Sequence, residues 1–312
     1  MTTATDNTPT PCRIAAIGMF DGVHCGHRAM IADMAAEAAS RHLSPIVVTF
    51  DRHPLEVIAP DKAPGLLMPA DVRIDTLRHC PVDSVEVLRF DRQMQALTAR
   101  EFMTMLRDRF HVHTIYMGFN HRFGSDRITD IDHYRHIAAS LGMDIIRGRE
   151  TRIDTDCKLS SSHIRLLIAH GHIDAATAAL GRPYAISGTI VTGRQIGRTI
   201  GFPTANLNPA MPRQLIPAPG VYACCATTPD GTRHRAIVNI GHRPTVAQPD
   251  DHRRTIEAHI LDYSGNLYDR PLTLEFITRI RSEQHFPTLR DLTARIQTDA
   301  DITRRHPFPY NL

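Results

Sequence analysis

Gly18-Met19-Phe20-Asp21-Gly22-Val23-His24-Cys25-Gly26-His27 decides the fold of the first half of this chain. Before it, Arg13–Phe20 reads as a buried strand that meets Asp21-Gly22. After it, from His27 to about Ser40, Met30, Ile31, Met34, Ala35 and Ala38 recur at helical spacing. The decapeptide therefore sits at a strand-to-helix switch. In an open α/β sheet, ligands bind just outside the carboxyl ends of the strands. Glycines there let a backbone approach a phosphate, and the helix N-terminus offers free N–H groups and a positive dipole end. His24 and His27 can donate to phosphate oxygens. The competing readings are a histidine pair that caps the helix or one that binds a metal. No third cysteine or carboxylate ligand stands at a telling spacing, which disfavours metal.

Working outward, strand-like runs at Pro45–Phe50, Ser84–Leu88, His113–Met117 and Asp144–Ile146 alternate with helical patterns at Val72–His79, Arg100–Phe110 and His133–Leu141. That alternation predicts a doubly wound parallel sheet with helices on both faces. Ser162–His170 and Ile173–Leu180 read as a closing helical pair. After Gly181-Arg182-Pro183 the period changes to two. Tyr184–Val191, Val221–Thr227, His234–Ile240, Thr255–Leu261 and Leu272–Ile280 follow one another with turns such as Pro229-Asp230-Gly231 and Ser264-Gly265-Asn266 between them, which predicts an antiparallel barrel. A last helix, Leu289–Ile302, presents Leu289, Leu292 and Ile296 to a barrel face. The expected domains are residues 13–182 and 183–306.

Composition narrows the functional classes. The 312 residues carry 36 basic and 33 acidic side chains, and 42% are hydrophobic. No basic stripe interleaves with aromatics and tryptophan is absent, so a nucleic-acid role is not expected. No apolar run reaches membrane-spanning length, and residues 1–12 lack the apolar core of a signal peptide. Six scattered cysteines without a C-x-x-C pair fit a reducing cytosol and argue against zinc or a disulfide scaffold. Adjacent Cys224 and Cys225 read as two small buried residues on opposite faces of a strand. Lysine occurs at Lys62 and Lys158 alone, and neither follows a glycine, so a Walker A motif is excluded. Any ATP chemistry must use backbone amides, histidine, arginine and a metal.

The first motif, G-x-F-D-G-x-H-x-G-H, resembles the leading signature of the nucleotidylyltransferases, in the form found in bifunctional riboflavin kinase/FAD synthetases. Thr49-Phe50-Asp51-Arg52-His53-Pro54 is similar to that family's T-F-x-P-H-P. Gly118-Phe119-Asn120-His121-Arg122-Phe123-Gly124 is similar to its G-x-[DN]-F-x-F-G, and Leu159-Ser160-Ser161-Ser162-His163-Ile164-Arg165 to its I-S-S-T-x-I-R. The resemblance implies adenylyl transfer, in which the FMN phosphate attacks the α-phosphate of ATP and pyrophosphate leaves. It assigns His24, His27 and Arg165 to the chemistry. Gly18, Phe20, Asp21, Gly26, Asn120, Arg127, Ser161 and Ser162 would bind ATP and FMN, with Asn120 beside the flavin or the phosphate of FMN. Two positions depart from the pattern: Arg52 replaces a proline and His121 an aromatic residue.

The second half carries Gly193-Arg194-Gln195-Ile196-Gly197-Arg198-Thr199-Ile200-Gly201-Phe202-Pro203-Thr204-Ala205-Asn206-Leu207. Such a loop either wraps a polyphosphate or simply turns between strands. Leu180–Tyr184, Gly201–Leu207, Pro219-Gly220-Val221-Tyr222, Asn239-Ile240-Gly241, Pro244-Thr245, Ile256-Glu257-Ala258-His259 and Leu267-Tyr268 resemble the riboflavin kinase module of the same family, in the same order. The family's fold here is a six-stranded barrel. The resemblance implies that Gly193, Gly197, Gly201, Thr204, Asn206 and Arg281 bind ATP or flavin, and that Thr204 and Asn206 hold Mg²⁺. Glu257 is the implied general base for the ribityl 5′-hydroxyl; the plainer reading pairs it with Arg253 or Arg254. Arg281–Phe286 and Asp299 resemble the family's C-terminal R-x-E-x-x-F and helix-end aspartate, and a loop anchor is the other reading of Arg281 and Phe286. Riboflavin to FMN to FAD, with ATP as co-substrate, is thus the expected function. A kinase alone, or a flavin-binding regulator with a degenerate first domain, is the alternative.

Overall fold

The computed structural model describes residues 12–118, 121–148, 152–154, 157–193, 197, 200–242 and 254–308. Its contacts divide the chain into two units. One comprises residues up to Pro64 together with Ala70–Leu159, the other Gly65–Pro69 with Ser160 onward.

The first unit runs β1 (Arg13–Ile17), α1 (Cys25–Arg41), β2 (Ser44–Phe50), α2 (Leu55–Ile58), α3 (Ala70–Arg78), β3 (Ser84–Leu88), α4 (Arg92–Ala96), α5 (Ala99–Phe110), β4 (Val112–Met117), α6 (Ile131–Ser140) and β5 (Asp144–Arg147), then a small ribbon, β6 (Arg152–Asp154) and β7 (Cys157–Lys158). The five long strands form a sheet in the order β3-β2-β1-β4-β5, and every neighbouring pair is parallel. Burial on both faces explains why β1 and β2 are nearly unbroken apolar runs. Ala15 and Ile17 point to the core that also holds Phe102, Met103 and Leu106 of α5 and Tyr134 and Ile137 of α6. By strand alternation Ile14 and Ala16, both fully buried, point to the other face, and α1 contacts β1 and β2. The chain works outward from β1 to β3, then returns to β4 on the far side of β1. That reversal is the topological switch point, and the loop from Gly18 to His27 leaves β1 there.

The second unit contains α7 (Ser161–His170), α8 (Ile173–Leu180), β8 (Tyr184–Val191), β9 (Ala205–Pro209), β10 (Gly220–Thr227), β11 (Arg233–His242), β12 (Arg254–Ile260), β13 (Pro271–Arg281) and α9 (Leu289–Arg305). The six strands close into a barrel, β10-β11-β12-β9-β8-β13. Tyr222 stacks edge-on with Phe276, and Tyr184 tilts against the same ring; all three are fully buried. Cys224 and Cys225 are also fully buried, as their strand position predicts.

Three differences from the sequence reading have physical causes. Strand β9 was not expected, because Ala205-Asn206-Leu207-Asn208-Pro209 lacks β-branched residues and pairs by position alone, with β8 and β12. The helical pair α7–α8 belongs to the barrel unit: α8 contacts β8 and β13, and Thr278 donates a 3.1 Å hydrogen bond to Asp174. The change of period at residue 182 marks where β structure begins, whereas the contacts divide at 159/160. Finally, α9 seats Ile296, Asp299, Ala300 and Thr303, while Leu289 is 61% exposed.

Candidate active sites

In the first unit, the Phe20–His24 turn holds its shape against local preference. Phe20 and Val23 have φ of 50° and 35°, in the left-handed region that bulky and β-branched residues avoid. Gly22, at 80°, sits where that conformation costs little. Strain of this kind persists where neighbouring structure enforces it, and Phe20 and Val23 are buried. His24 is the N-cap of α1: its Nδ1 accepts the His27 backbone N–H at 3.3 Å. That bond fixes the neutral tautomer, so its proton is on Nε2. The two rings stack at 3.6 Å between centroids. The Phe20 ring meets His27 edge-on at 5.2 Å, and Gly26 lets the His24 ring lie against the helix start, where a β-carbon would crowd it and Leu159. Burial, then the neighbouring His24, hold the His27 pKa well below its ordinary value. His27 Nδ1 is sealed without a partner. An unsatisfied buried acceptor is less costly than an unsatisfied N–H, so the His27 proton also belongs on Nε2. The helix start therefore carries two neutral imidazole donors.

Beside this loop, at the carboxyl ends of β1 and β2, lies an apolar cavity of about 270 Å³. Phe50, Ile58, Phe90, Met94, Leu97 and Phe102 form most of its wall, and Gly18, Met19 and Pro54 complete one side. Behind that wall is Arg73, 1% exposed. It donates to the Phe50 carbonyl and approaches Met19 Sδ at 3.3 Å, pinning both strand ends. Desolvation lowers its pKa, and the charges of Asp21, Asp51 and Glu56 oppose that shift. Nothing in the spacing of residue 73 marks it out. The departure at Arg52 faces away: its guanidinium pairs with Asp51 at 3.0 Å and is half exposed. Arg127 stands exposed in the turn after Gly124, with φ 51°, and lines neither this cavity nor a polar one of about 220 Å³ between Gly118 and Arg147. Asn120 lies outside the described residues.

Ser160, Ser161, Ser162 and Arg165 open α7 in the second unit. Ser160 is the cap, accepting the His163 N–H at 3.2 Å, and Ser161 and Ser162 are the first two residues of the helix. Arg165 Nε donates to the Gly65 carbonyl at 2.8 Å.

The barrel site comes from register. Asn206 of β9 is opposite Glu257 of β12; Glu257 is opposite Asn239 of β11; Asn239 is opposite Val221 of β10; and Val221 is opposite Arg281 of β13. Directly paired residues share a face. Ile256, Ala258 and Ile260 are buried inside the barrel, so this row lies outside. Asn206, Glu257, Asn239 and Arg281 are thereby gathered from four strands onto one outer band. There a cavity of about 300 Å³ is lined by Glu257, Asn239, Thr204, Arg281 and Glu283, with Ile237, Phe286 and Ile296 as apolar walls. Asn239 and Glu283 join Glu257, Thr204 and Arg281 of the sequence reading in this lining. A second cavity, about 340 Å³, lies beside it, lined by Pro203, Thr204, Ala205, Tyr263 and Gly265–Tyr268. Thr204 belongs to both. Arg254 donates to the Ile216 and Pro217 carbonyls.

The glycines serve this arrangement. A β-carbon on Gly193 would overlap the Asn206 carboxamide, and one on Gly197 the Phe202 carbonyl. Gly201 adopts φ 82°. Arg194–Ile196, Arg198, Thr199 and Pro244-Thr245 fall outside the described residues. Arg281 pairs with buried Asp299 at 2.8 Å and sits over the Phe286 ring at 5.6 Å. It is both an anchor and part of the cavity wall. Among the described residues no cluster of three His, Cys, Asp or Glu side chains could hold a metal by itself, and no helix is long and apolar enough to cross a membrane.

Comparison with known proteins matches these two sites to two modules. The FAD synthetase family model matches residues 6–163 and the riboflavin kinase model residues 180–306. The bifunctional riboflavin kinase/FMN adenylyltransferase of Escherichia coli K12 is 38% identical over 95% of this chain and 92% of its own length. The chain belongs to that family. Its members from Pseudomonas fluorescens and Bacillus subtilis are 35% and 31% identical, over 93% and 94% of this chain and 92% of each of theirs. A solved chain from Streptococcus pneumoniae described as a macrolide-efflux protein is 29% identical, with a TM-score of 0.82 over 96% of both chains. The family fold, a parallel-sheet unit and a closed six-stranded barrel with a terminal helix, is thus the one found here.

Proposed function

We propose that the chain phosphorylates riboflavin at the barrel and adenylylates the resulting FMN at the parallel-sheet unit. The row Asn206–Glu257–Asn239 carries the first half of this reading. Riboflavin occupies the cavity walled by Ile237, Phe286 and Ile296, with its ribityl 5′-hydroxyl toward Glu257. ATP occupies the neighbouring cavity, and Thr204, common to both, stands where the γ-phosphoryl passes. Glu257 takes the hydroxyl proton, the oxygen bonds to the γ-phosphorus, and the bond to ADP breaks. A carboxylate within reach of the hydroxyl suits that role. Hydroxyl and carboxamide oxygens with phosphate suit a hard cation, so Thr204 and Asn206 would hold Mg²⁺, which when bound neutralises the polyphosphate charge. Gly193, Gly197 and Gly201 keep the loop close enough to wrap the phosphates.

In the other unit, the cavity behind Gly18 takes the isoalloxazine. The α1 start, with His24 and His27, takes ATP phosphates through Nε2–H and backbone donors, alongside Phe20, Asp21 and Gly26. Polyphosphate raises the proton affinity of both rings, so they gain charge as negative charge develops. The FMN phosphate oxygen bonds to the α-phosphorus and pyrophosphate leaves. Ser161, Ser162 and Arg165 keep the role the family resemblance gives them, on the β/γ side of ATP. The scarcity of cysteine, six in 312 residues without a C-x-x-C pair, supports a cytosolic setting.

The test is a time course with riboflavin and Mg²⁺-ATP that resolves riboflavin, FMN and FAD. FMN rising and then giving way to FAD is expected. FMN accumulating without FAD would remove the second activity, and no conversion of either flavin would remove both.

A further inference from the structure

His121 lines the two cavities described above in the first unit, the apolar one against Phe102 and Phe123 and the polar one against Arg122, Asp130 and Arg147. Its ring packs beside Phe123, with centroids 5.9 Å apart, and its backbone N–H is used on the Gly118 carbonyl at 3.0 Å. The position is one where the family pattern has an aromatic ring, so an imidazole of similar outline fits. It adds two nitrogens that phenylalanine lacks. Nδ1 is sealed from solvent and has no partner. A buried N–H without an acceptor is rarer and costlier than a buried lone pair without a donor. The proton accordingly resides on Nε2. Desolvation lowers the pKa to about 4, so the ring is neutral near pH 7. His27, at the phosphate end of the same unit, has the same signature: a sealed, partnerless Nδ1 and a neutral ring.

We propose that His121 is a specificity-determining residue of the adenylyl-transfer site, whose Nε2–H donates a hydrogen bond to the acceptor edge of the oxidised isoalloxazine. That edge offers two carbonyl oxygens and the ring nitrogens N1 and N5 as acceptors around a single N3–H donor, so one neutral donor suits an acceptor position on it where a charged one would require a counter-ion. Phenylalanine at this position supplies packing and no donor. The inference rests on the flavin occupying the apolar cavity.

The experiment measures KM for FMN and for ATP in FAD formation by the full chain, for wild type, His121→Phe, His121→Gln and Ile58→Trp. Ile58 lines the same cavity and is 48% exposed, so tryptophan there narrows the cavity without disturbing the core. Loss of one hydrogen bond predicts that His121→Phe raises KM for FMN about fivefold and leaves KM for ATP in place. His121→Gln, which keeps an N–H donor, stays within about twofold of wild type. A packing role predicts the opposite order, with phenylalanine tolerated and glutamine poor. That order, with Ile58→Trp still raising KM for FMN, overturns the proposal and retains the flavin cavity. No change in either His121→Phe or Ile58→Trp overturns the cavity assignment itself.

Discussion

The two candidate sites are built on opposite kinds of scaffold. In the parallel-sheet unit, Gly18 to His27 form one continuous segment at the switch point, and the proposed phosphate donors come from a helix start within ten residues. In the barrel unit, Asn206, Asn239, Glu257 and Arg281 are scattered between positions 206 and 281 and meet only through strand register. A strand end collects chemistry locally. A closed barrel collects it across neighbours, on whichever face the register selects. Damage should follow that distinction: the first site is sensitive to its one helix start, the second to anything that shifts a strand partner.

Short of removing the proposed base Glu257, the largest effect is expected from His27→Ala, which takes away a proposed donor to the polyphosphate. FAD formation from FMN should fall about 10²–10³-fold, while FMN formation from riboflavin stays near wild type. Equal loss of both would break the separation. Gly193→Ala tests the barrel side without touching a reacting group. The added β-carbon must displace Asn206, so riboflavin phosphorylation should drop by roughly tenfold or more, as for other misplacements near the chemistry. FAD formation from supplied FMN should be unaffected.

A smaller effect concerns stability. His27 and His121 are held neutral by burial, with folded pKa values below the unfolded 6.5. Between 6.5 and about 4 the unfolded chain binds more protons, so stability declines as pH falls through that window. His121 alone accounts for about 2 kcal/mol between pH 7 and pH 5. Urea unfolding at the two pH values, followed for wild type and His121→Phe, should show the difference shrink in the variant. The smallest effect is expected from Arg52→Pro, which restores the family pattern. Arg52 is exposed and tied to Asp51, so FAD formation should change less than about twofold. A large gain would mean that Arg52 reaches into the site.

How much was legible in the sequence follows the same division. The decapeptide at residues 18–27 announced its strand–turn–helix setting, because periodicity changes on either side of it. Helix capping by its histidines was one of the readings that local chemistry offered, whereas its place at the topological switch point depends on strand order and shows only in the fold. Glu257 was legible as a strand carboxylate, but its neighbours Asn206 and Asn239 were not legible as a row, since β9 carries little β propensity and register is a property of two strands. The apolar wall from Phe50 to Phe102 was hidden among ordinary core residues, and Arg73 looked like any helical arginine. Only packing shows which face of those residues borders a cavity. The helices α7 and α8 continue the earlier α/β rhythm, and only their contacts assign them to the barrel.

Two separate sites make one measurement decisive. Purified Glu257→Ala should be assayed with Mg²⁺-ATP in parallel reactions, one given riboflavin and one given FMN. The prediction is no FMN or FAD from riboflavin, and FAD from supplied FMN at the wild-type rate. FMN formed from riboflavin at an undiminished rate, or loss of FAD formation from supplied FMN, would contradict it.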